Sequence, residues 1–579
     1  MRKVLVIPKY LRKITANHIS LNYNFEIFGC DTETCNGEPF FLQINNGKEI
    51  FMKYVNKVTI LDEFLNYFDK KKEDLNKIKY YICFFHRLDF DLVALLYNQD
   101  LKLFRKTDFK LQHKDWLLEC YTGKRYFSFF RKQNKVIALI DSFGYLPYRL
   151  KKVAKDLKIP FQKRSKPKGL GQKVLKSKDF IEYAKTDVLI EYEVGKWIMD
   201  LHKMYDTRLC VSLPQLAMRI FRHKFLKPND VIQLPPDNVL KASLRSYHGG
   251  KNGMYVSAGI YKNCSEIDIN SAYPYAMKML PSFLEGEFKE VNYYEPKFVG
   301  IYNISGEVNC PYNIFFDDDF KAVKNKFSDI WVTCYEIAEA LKHNEVKIDN
   351  IFGYIWIPKT ERNPFADYVN YFYEKKNNTS KDNSLYTFYK LALNSLYGKL
   401  IQATKLDNED TACDYETYIN SKGELIVKRI QQTYQAGGLF NPFIATLITG
   451  KVRAMIHDLE HKFKAIHTAT DSIKTLENIS GCNNELGGYK LELTGTCYLF
   501  RNKCYLHYDK SGKLKKYALH GFQGKVEDLI NLMKTKSNIY ETEHLFKVKE
   551  ALIQNKIPLN MEKIKREFNI NWKNFKYNN

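Results

Sequence analysis

A β-prone run ends on a carboxylate at Asp268, within Glu266-Ile-Asp-Ile-Asn-Ser-Ala-Tyr-Pro274, and about 200 residues later a second run turns on Asp471, within Ala469-Thr-Asp-Ser472. If the two carboxylates act together, everything between them must fold back to bring them side by side. The helix-prone stretch 271–277 follows Asp268 at once, which leaves the N–H groups of its first turn free for anions. Alternation across 464–476 predicts a strand pair with Asp471 at its tip. Between the two segments lies Lys390-Leu-Ala-Leu-Asn-Ser-Leu-Tyr-Gly398. Lys390, Asn394 and Tyr397 stand at i, i+4 and i+7, one face of a helix predicted over 385–400. Such a face suits a polyphosphate and a stacked base, as it also suits an ordinary exposed polar stripe. Paired carboxylates are the side chains expected around divalent cations, which take oxygen ligands.

At 579 residues the chain is too long for one core and predicts roughly three or four domains. A hydrophobic share of 45% with 15% aromatics is a globular composition. The 90 Lys and Arg exceed the 66 Asp and Glu, giving a formal charge of +24. A solvated basic surface accounts for some charge of this kind, and a polyanionic partner accounts for it more often. The twelve Cys include no C-x-x-C, and no Cys/His cluster has zinc spacing. Reduced thiols in a soluble intracellular protein are therefore expected. No segment reaches the length of a membrane span, so no membrane partner is expected.

The first 200 residues alternate β-prone and helix-prone runs: strands over 25–30, 79–85 and 135–140, helices over 90–97 and 178–202. That alternation predicts an α/β unit. Asp31 and Glu33 stand at i and i+2 on one strand face, Asp91 follows a second strand, and Tyr183 and Asp187 stand at i and i+4 on a helix. Gathered together, they would form a second carboxylate site, one suited to two-metal hydrolysis. Scattered, they are solvated acids near strand ends. Further on, 207–244 reads as helical, 245–253 as a turn or loop, and 407–435 as a polar β-hairpin turning at 420–423. The tail from 526 onward reads as a basic helical set.

The order D-x-x-S-x-Y-P, K-x-x-x-N-S-x-Y-G, T-D-S resembles motifs A, B and C of the family B DNA polymerases. Lys503-Cys-Tyr505 is similar to the family's K-x-Y, and Tyr247-His-Gly-Gly250 to its Y-x-G-G. The series D-x-E, F-D, Y-x-x-x-D in the first third resembles the ExoI, ExoII and ExoIII motifs of the family's 3′–5′ exonucleases. Length and two insertions, residues 281–374 and 400–435, are similar to the protein-primed subgroup of phages, linear plasmids and viruses, where they are called terminal protein regions 1 and 2.

The resemblance implies α/β and α+β architecture in several domains: an RNase H-like exonuclease over 1–205, palm and fingers with the insertions over 206–505, and a thumb over 506–579. It implies a monomeric DNA-directed DNA polymerase with proofreading, two Mg²⁺ or Mn²⁺ per site, deoxynucleoside triphosphate substrates, and DNA and a terminal protein primer as partners. Asp268 and Asp471 would hold the metals of synthesis; Asp31, Glu33, Asp91 and Asp187 those of hydrolysis, with Tyr183 and Lys163 beside them. Tyr273, Lys390, Asn394, Tyr397 and Lys503 would meet the nucleotide, with Tyr273 excluding a 2′-hydroxyl. Tyr247, Gly249, Gly250 and Tyr505 would contact duplex DNA, and Thr34, His86, Phe90, Ser142 and Phe143 the frayed single strand. In the basic loop, Arg164 and Lys166 rival Lys163, and Lys375, Lys376 and Lys381 are alternatives for a further triphosphate lysine. Two departures stand out. Ala469 replaces the first Asp of the family's D-T-D-S, and Arg87 replaces its usual Asn. Two rivals follow: a family B enzyme extending ordinary primers, and a catalytically impaired DNA-binding relative.

Overall fold

The computed structural model describes residues 13–16, 24–35, 38–71, 77–100, 103–104, 108–122, 126–165, 167, 176–405, 415–419, 425–429, 434–545 and 561–576. The N-terminal unit is built on an eight-stranded mixed sheet. Three strands at its centre, Asn24–Cys35, Lys79–Phe85 and Lys135–Asp141, run parallel. Glu38–Asn45 and Ile50–Tyr54 extend one side antiparallel, and three antiparallel strands extend the other. The parallel strands are almost continuously apolar because both faces are covered: Ile82, Cys83, Phe84, Ile137 and Leu139 are wholly buried.

The helix Lys178–Met204 lies across the strand Asn24–Cys35. Contact is so close at Gly29 that a Cβ would sit 2.4 Å from Tyr192 N and 2.6 Å from Val188 O. A residue without a side chain is what allows strand and helix to meet there. The expected strand over 25–30 in fact continues through Asp31 and Glu33 to Cys35, since the Glu38–Asn45 strand pairs with it along that length. The helix expected over 90–97 begins earlier, at Leu88.

The second half is organised by a seven-stranded sheet, antiparallel throughout, in the order Lys251–Met254, His467–Thr470, Ser472–Thr475, Gly259–Ile269, Tyr489–Arg501, Cys504–Asp509, Leu514–Leu519. Its helical cover includes Pro442–Lys462, whose buried face runs almost its whole length. The 281–374 insertion supplies a four-stranded antiparallel sheet, the helix Cys334–Lys342 and the start of an antiparallel helix pair, Pro364–Asn377 and Ser384–Ser395.

Three expectations change here. Residues 245–253 are not a plain loop, because Lys251–Met254 pairs with the strand before Asp471. The expected helix over 385–400 gives way after Ser395 to a 3₁₀ turn, Tyr397–Ile401. The tail is not a helical set: after Val526–Thr535 it forms an antiparallel pair, Ile539–Leu545 with Met561–Glu567. A boundary at 505/506 would also cut the strand Cys504–Asp509. Of the polar hairpin, Tyr415–Ile419 pairs with Leu425–Arg429, while its expected turn at 420–423 lies outside the described residues. No helix among the described residues is long and apolar enough to cross a membrane.

Candidate active sites

Asp268 and Asp471 are brought together by strand pairing. Asp268 stands opposite Ser472 in the register, and Ile269 N donates to Asp471 O at 2.9 Å. Asp471 caps a tight turn in which its own N–H donates to Ala469 O at 2.8 Å. Thr470 at the tip has φ 63°, a left-handed conformation that a β-branched residue adopts only under constraint. Burial, then the Asp471 charge, push the Asp268 carboxyl up to about 6, and burial raises Asp471 as well. Two carboxylates that oppose each other's ionisation are a fitting seat for a divalent cation, whose charge would relieve them.

Lys490, the cross-strand partner of Asp268, places Nζ 3.8 Å from its Oδ1 and 2.6 Å from Glu492 Oε1. Behind the pair, Glu266 is wholly buried and takes hydrogen bonds from Lys474 and from Lys516 (2.5 Å). Burial raises its carboxyl, but the hydrogen bond with His507 and then the charges of Lys474 and Lys516 hold it well below the usual range. Lys490, Lys516 and Glu266 escaped the sequence reading because nothing local distinguishes them from other strand residues.

Tyr273 is buried and its ring stacks on Tyr397, centroids 4.2 Å apart at 9°. Lys390 and Asn394 are exposed on the helix that leads to this stack. Among the three upstream lysines, Lys376 is held below the usual lysine range by burial and by the charges of Lys490 and Lys390. The charges of those two therefore reach it, while its Nζ lies 4.4 Å over the Tyr373 ring. Lys503 lies in the turn before Cys504–Asp509 with φ 55°, its charge acting on Asp471. Tyr505, expected at the DNA, is instead 5% exposed, with Lys474 Nζ 4.0 Å above its ring. It supports the sheet from beneath.

Tyr247-His-Gly-Gly250 passes directly over the Asp471 turn. Arg453, buried on the long helix, donates to His248 O at 2.6 Å and to Gly249 O at 3.1 Å. A Cβ at Gly250 would lie 2.6 Å from Thr470 Cγ2 and 2.9 Å from the Tyr273 hydroxyl, whereas one at Gly249 would meet nothing within 4 Å.

In the N-terminal unit, ligand oxygens of Asp31, Glu33 and Asp187 all lie within 4.8 Å of one another. Asp91 is buried beside them and accepts from Thr32 N at 3.0 Å and Thr32 Oγ1 at 2.7 Å. Burial foremost, and the neighbouring carboxylates with it, push Asp31 well above the usual range. Burial likewise raises Asp91 to about 8 and Asp187 to about 6. This cluster also fits a cation. Lys163 donates to Asp187 and lies 4.6 Å above the Tyr183 ring; Arg164 pairs with Glu182 at 3.8 Å, and Lys166 lies outside the described residues.

Thr34, Phe90 and Phe143 are partly exposed near the cluster. His86 bridges Ser142 Oγ at 3.0 Å and Tyr148 O at 2.8 Å, and burial lowers it to about 4, so it is neutral at pH 7. Ser142 is wholly buried, so it orients His86 instead of presenting a surface. Arg87 takes φ 78°, where an asparagine would be more at ease. Its guanidinium reaches Asp89 at 3.0 Å and covers the Phe143 ring at 5.4 Å.

Residues 45–435 match the family model for DNA polymerase type B, organellar and viral. The chain belongs to this family. Among curated relatives, a probable DNA polymerase of Neurospora intermedia is 26% identical over 400 residues, 60% of this chain and 40% of that protein. The DNA-directed DNA polymerase of Enterobacteria phage PRD1 is 25% identical over 378 residues, 61% of this chain and 63% of that one. The matched stretches thus span less than two thirds of either relative. The fold is similar to that of Phi29 DNA polymerase complexed with primer-template DNA: TM-score 0.62 at 17% identity, covering 94% of this chain and 100% of that one.

Within this type B polymerase fold the two glycines of the Y-x-G-G segment have different jobs, which a substitution can separate. Gly250→Ala will drive a methyl group into Thr470 and displace the Asp471 turn; misplacement by a fraction of an ångström to an ångström costs on the order of a hundredfold in rate. Gly249→Ala will leave the turn in place and any nucleotide incorporation at this site near wild type. Steady-state primer extension on a defined template reads both, and equal rates for the two variants would refute the assignment.

Proposed function

We propose that this chain is a DNA-directed DNA polymerase with 3′–5′ proofreading, starting synthesis from a protein hydroxyl. The observation carrying the reading is the meeting of Asp268 and Asp471 on paired strands beneath the stacked Tyr273 and Tyr397. Asp268 and Asp471 would hold divalent metal, Mg²⁺ or Mn²⁺, which when bound activates a primer hydroxyl and stabilises departing pyrophosphate. Lys390 and Lys376 present positive charge to the triphosphate, and Lys503 presents it toward the primer end. Tyr273, fixed by the Tyr397 ring, closes the space beside the sugar and excludes a 2′-hydroxyl.

In the N-terminal unit Asp31, Glu33, Asp91 and Asp187 would hold the metals of hydrolysis. Tyr183 and Lys163 position the attacking water. The antiparallel strands Glu38–Asn45 and Ile50–Tyr54, continuing the sheet from the first strand of the parallel trio, support an RNase H-like reading of it. The 281–374 insertion would dock the priming protein, and the ribbon over 400–435 would close over the template. Basic walls give such a ring sequence-independent grip on phosphate. Ala469 favours the rival of a catalytically impaired DNA-binding protein, since one expected carboxylate is missing.

Primer extension with Mg²⁺ decides between them. An active polymerase extends an oligonucleotide primer, copies through downstream duplex without a helicase, and accepts ribonucleotides more readily once Tyr273→Val is introduced. Binding of primer-template without any extension would establish the impaired relative. Extension that stalls at the duplex would remove the support for protein-primed replication.

A further inference from the structure

Away from both carboxylate sites, four donors from three separate segments converge beside the central sheet. Cys310 lies in the loop after the strand Val299–Val308, and Glu345 just before Val346–Pro358. His457 and His461 are one turn apart on one face of the helix Pro442–Lys462. Their ligand atoms all lie within 4.8 Å of one another. No local spacing in the sequence suggests the group, since the fold assembles it from residues up to 151 positions apart (461 − 310).

We propose that Cys310, Glu345, His457 and His461 bind one Zn²⁺, which staples the 281–374 insertion to the long helix. The ring nitrogens His457 Nε2 and His461 Nε2 face each other at 3.2 Å, and Cys310 Sγ is 3.9 Å from His457 Nε2. Zinc bonds of about 2.0–2.3 Å in a tetrahedron put neighbouring ligands about 3.3–3.7 Å apart, so both separations are near those of a loaded site. The Glu345 oxygens are closer, at 2.7 Å from His457 Nε2 and 2.8 Å from His461 Nε2. A small turn of the carboxylate about its soft terminal torsion relieves that. Glu345 Oε1 is buried and makes no hydrogen bond despite its nearness to His461, so a lone pair is left for a cation.

A thiolate, two imidazoles and one carboxylate select borderline-soft zinc over Mg²⁺. With four protein ligands no position stays open for a substrate, so the ion is structural. The backbone is prepared for it: Asn309 N donates to Glu345 O at 2.8 Å, fixing the Cys310 loop beside the carboxylate. Binding releases the Cys310 thiol proton to water. His457 Nδ1 then donates to buried Glu460, whose Oε2 is 3.4 Å away, the usual partner of a metal-bound imidazole. In the unloaded fold Lys251 Nζ donates to that same nitrogen at 2.9 Å, so loading the site requires the ammonium to turn wholly to Glu460, with which it is already paired. Glu460 also accepts from Thr468 Oγ1 at 2.6 Å, and Thr468 belongs to the strand that ends at the Asp471 turn. The ion would therefore brace the carboxylate turn from behind. The His343 ring, stacked on His461 at 3.9 Å, covers one side of the site.

The test uses the full chain and the metal alone, and does not depend on the polymerase reading. Elemental analysis after stoichiometric Zn²⁺ and desalting should find one ion per chain, falling to background in His461→Gln and Cys310→Ser. Chelator should lower the melting temperature, with Zn²⁺ restoring it and Mg²⁺ failing to. Co²⁺ in place of zinc should give a cysteinate-to-cobalt charge-transfer band that Cys310→Ser abolishes. Wild-type protein with no more zinc than His461→Gln and no cobalt–thiolate band would overturn the proposal, leaving the cluster as a plain ion-pair network. Because the cobalt band is read on the wild-type protein, it decides between the two even if a variant folds poorly.

Discussion

Asp268→Asn and Asp471→Asn will each lower nucleotide incorporation by about a thousandfold or more, while digestion of single-stranded DNA continues. The size follows from the several kcal/mol that carboxylate-held metal contributes to transition-state stabilisation, each 1.4 kcal/mol being about tenfold. Single-turnover incorporation of one nucleotide checks it, and a near-wild-type rate in either variant would refute the assignment. The same substitution has an opposite effect on stability. The Asp268 carboxyl titrates at about 6 in the fold, pushed up by burial and by Asp471, against roughly 3.9 in an unfolded chain. The folded state thus holds its proton more tightly, and stability is lost as pH rises from about 4 to about 6. Without divalent metal, Asp268→Asn should melt above wild type at pH 8, by no more than about 3 kcal/mol of stability. Near pH 4 the difference should vanish. A variant that melts lower than wild type at pH 8 would count against burial as the cause.

The second large effect is on the proposed nuclease site. Replacing Asp31 and Glu33 together with Ala removes two of the three carboxylates whose oxygens lie within 4.8 Å of one another. Digestion of a single-stranded oligonucleotide should fall by about a thousandfold or more on the same reasoning. Polymerisation should stay near wild type, because the two sites share neither strand nor helix. Continued digestion by the double variant would move the nuclease elsewhere, and a matching loss of synthesis would show that the two sites are coupled.

Much of each site was legible where the chemistry is local. Asp31 and Glu33 at i and i+2 share a strand face, and Tyr183 and Asp187 at i and i+4 a helix face, as the periodicities predict. The strand pair around Asp471 is present with the turn in place. Boundaries failed where pairing with another strand overrode local pattern, whether that strand came next in the chain or about 200 residues later. Asn24–Cys35 runs past Asp31 because Glu38–Asn45 pairs with it, and Lys251–Met254 is a strand because the turn strand pairs with it. The tail misled because Ile539–Leu545, with two glutamates, and Met561–Glu567, which mixes Lys, Arg and Glu, show little apolar alternation, and a strand pair formed where helix was expected.

The sequence by itself determined which side chains carry charge, sulfur and aromatic rings, and which near neighbours share a face, because backbone geometry repeats over two or four residues. Tertiary structure alone decided which carboxylates become neighbours and that Tyr505 and Ser142 are buried. It also gave Gly249 and Gly250 different surroundings, and it put Cys310, Glu345, His457 and His461 together. Separations between segments far apart in the chain are set by how sheets and helices bury their apolar faces on one another, and no local repeat encodes that distance.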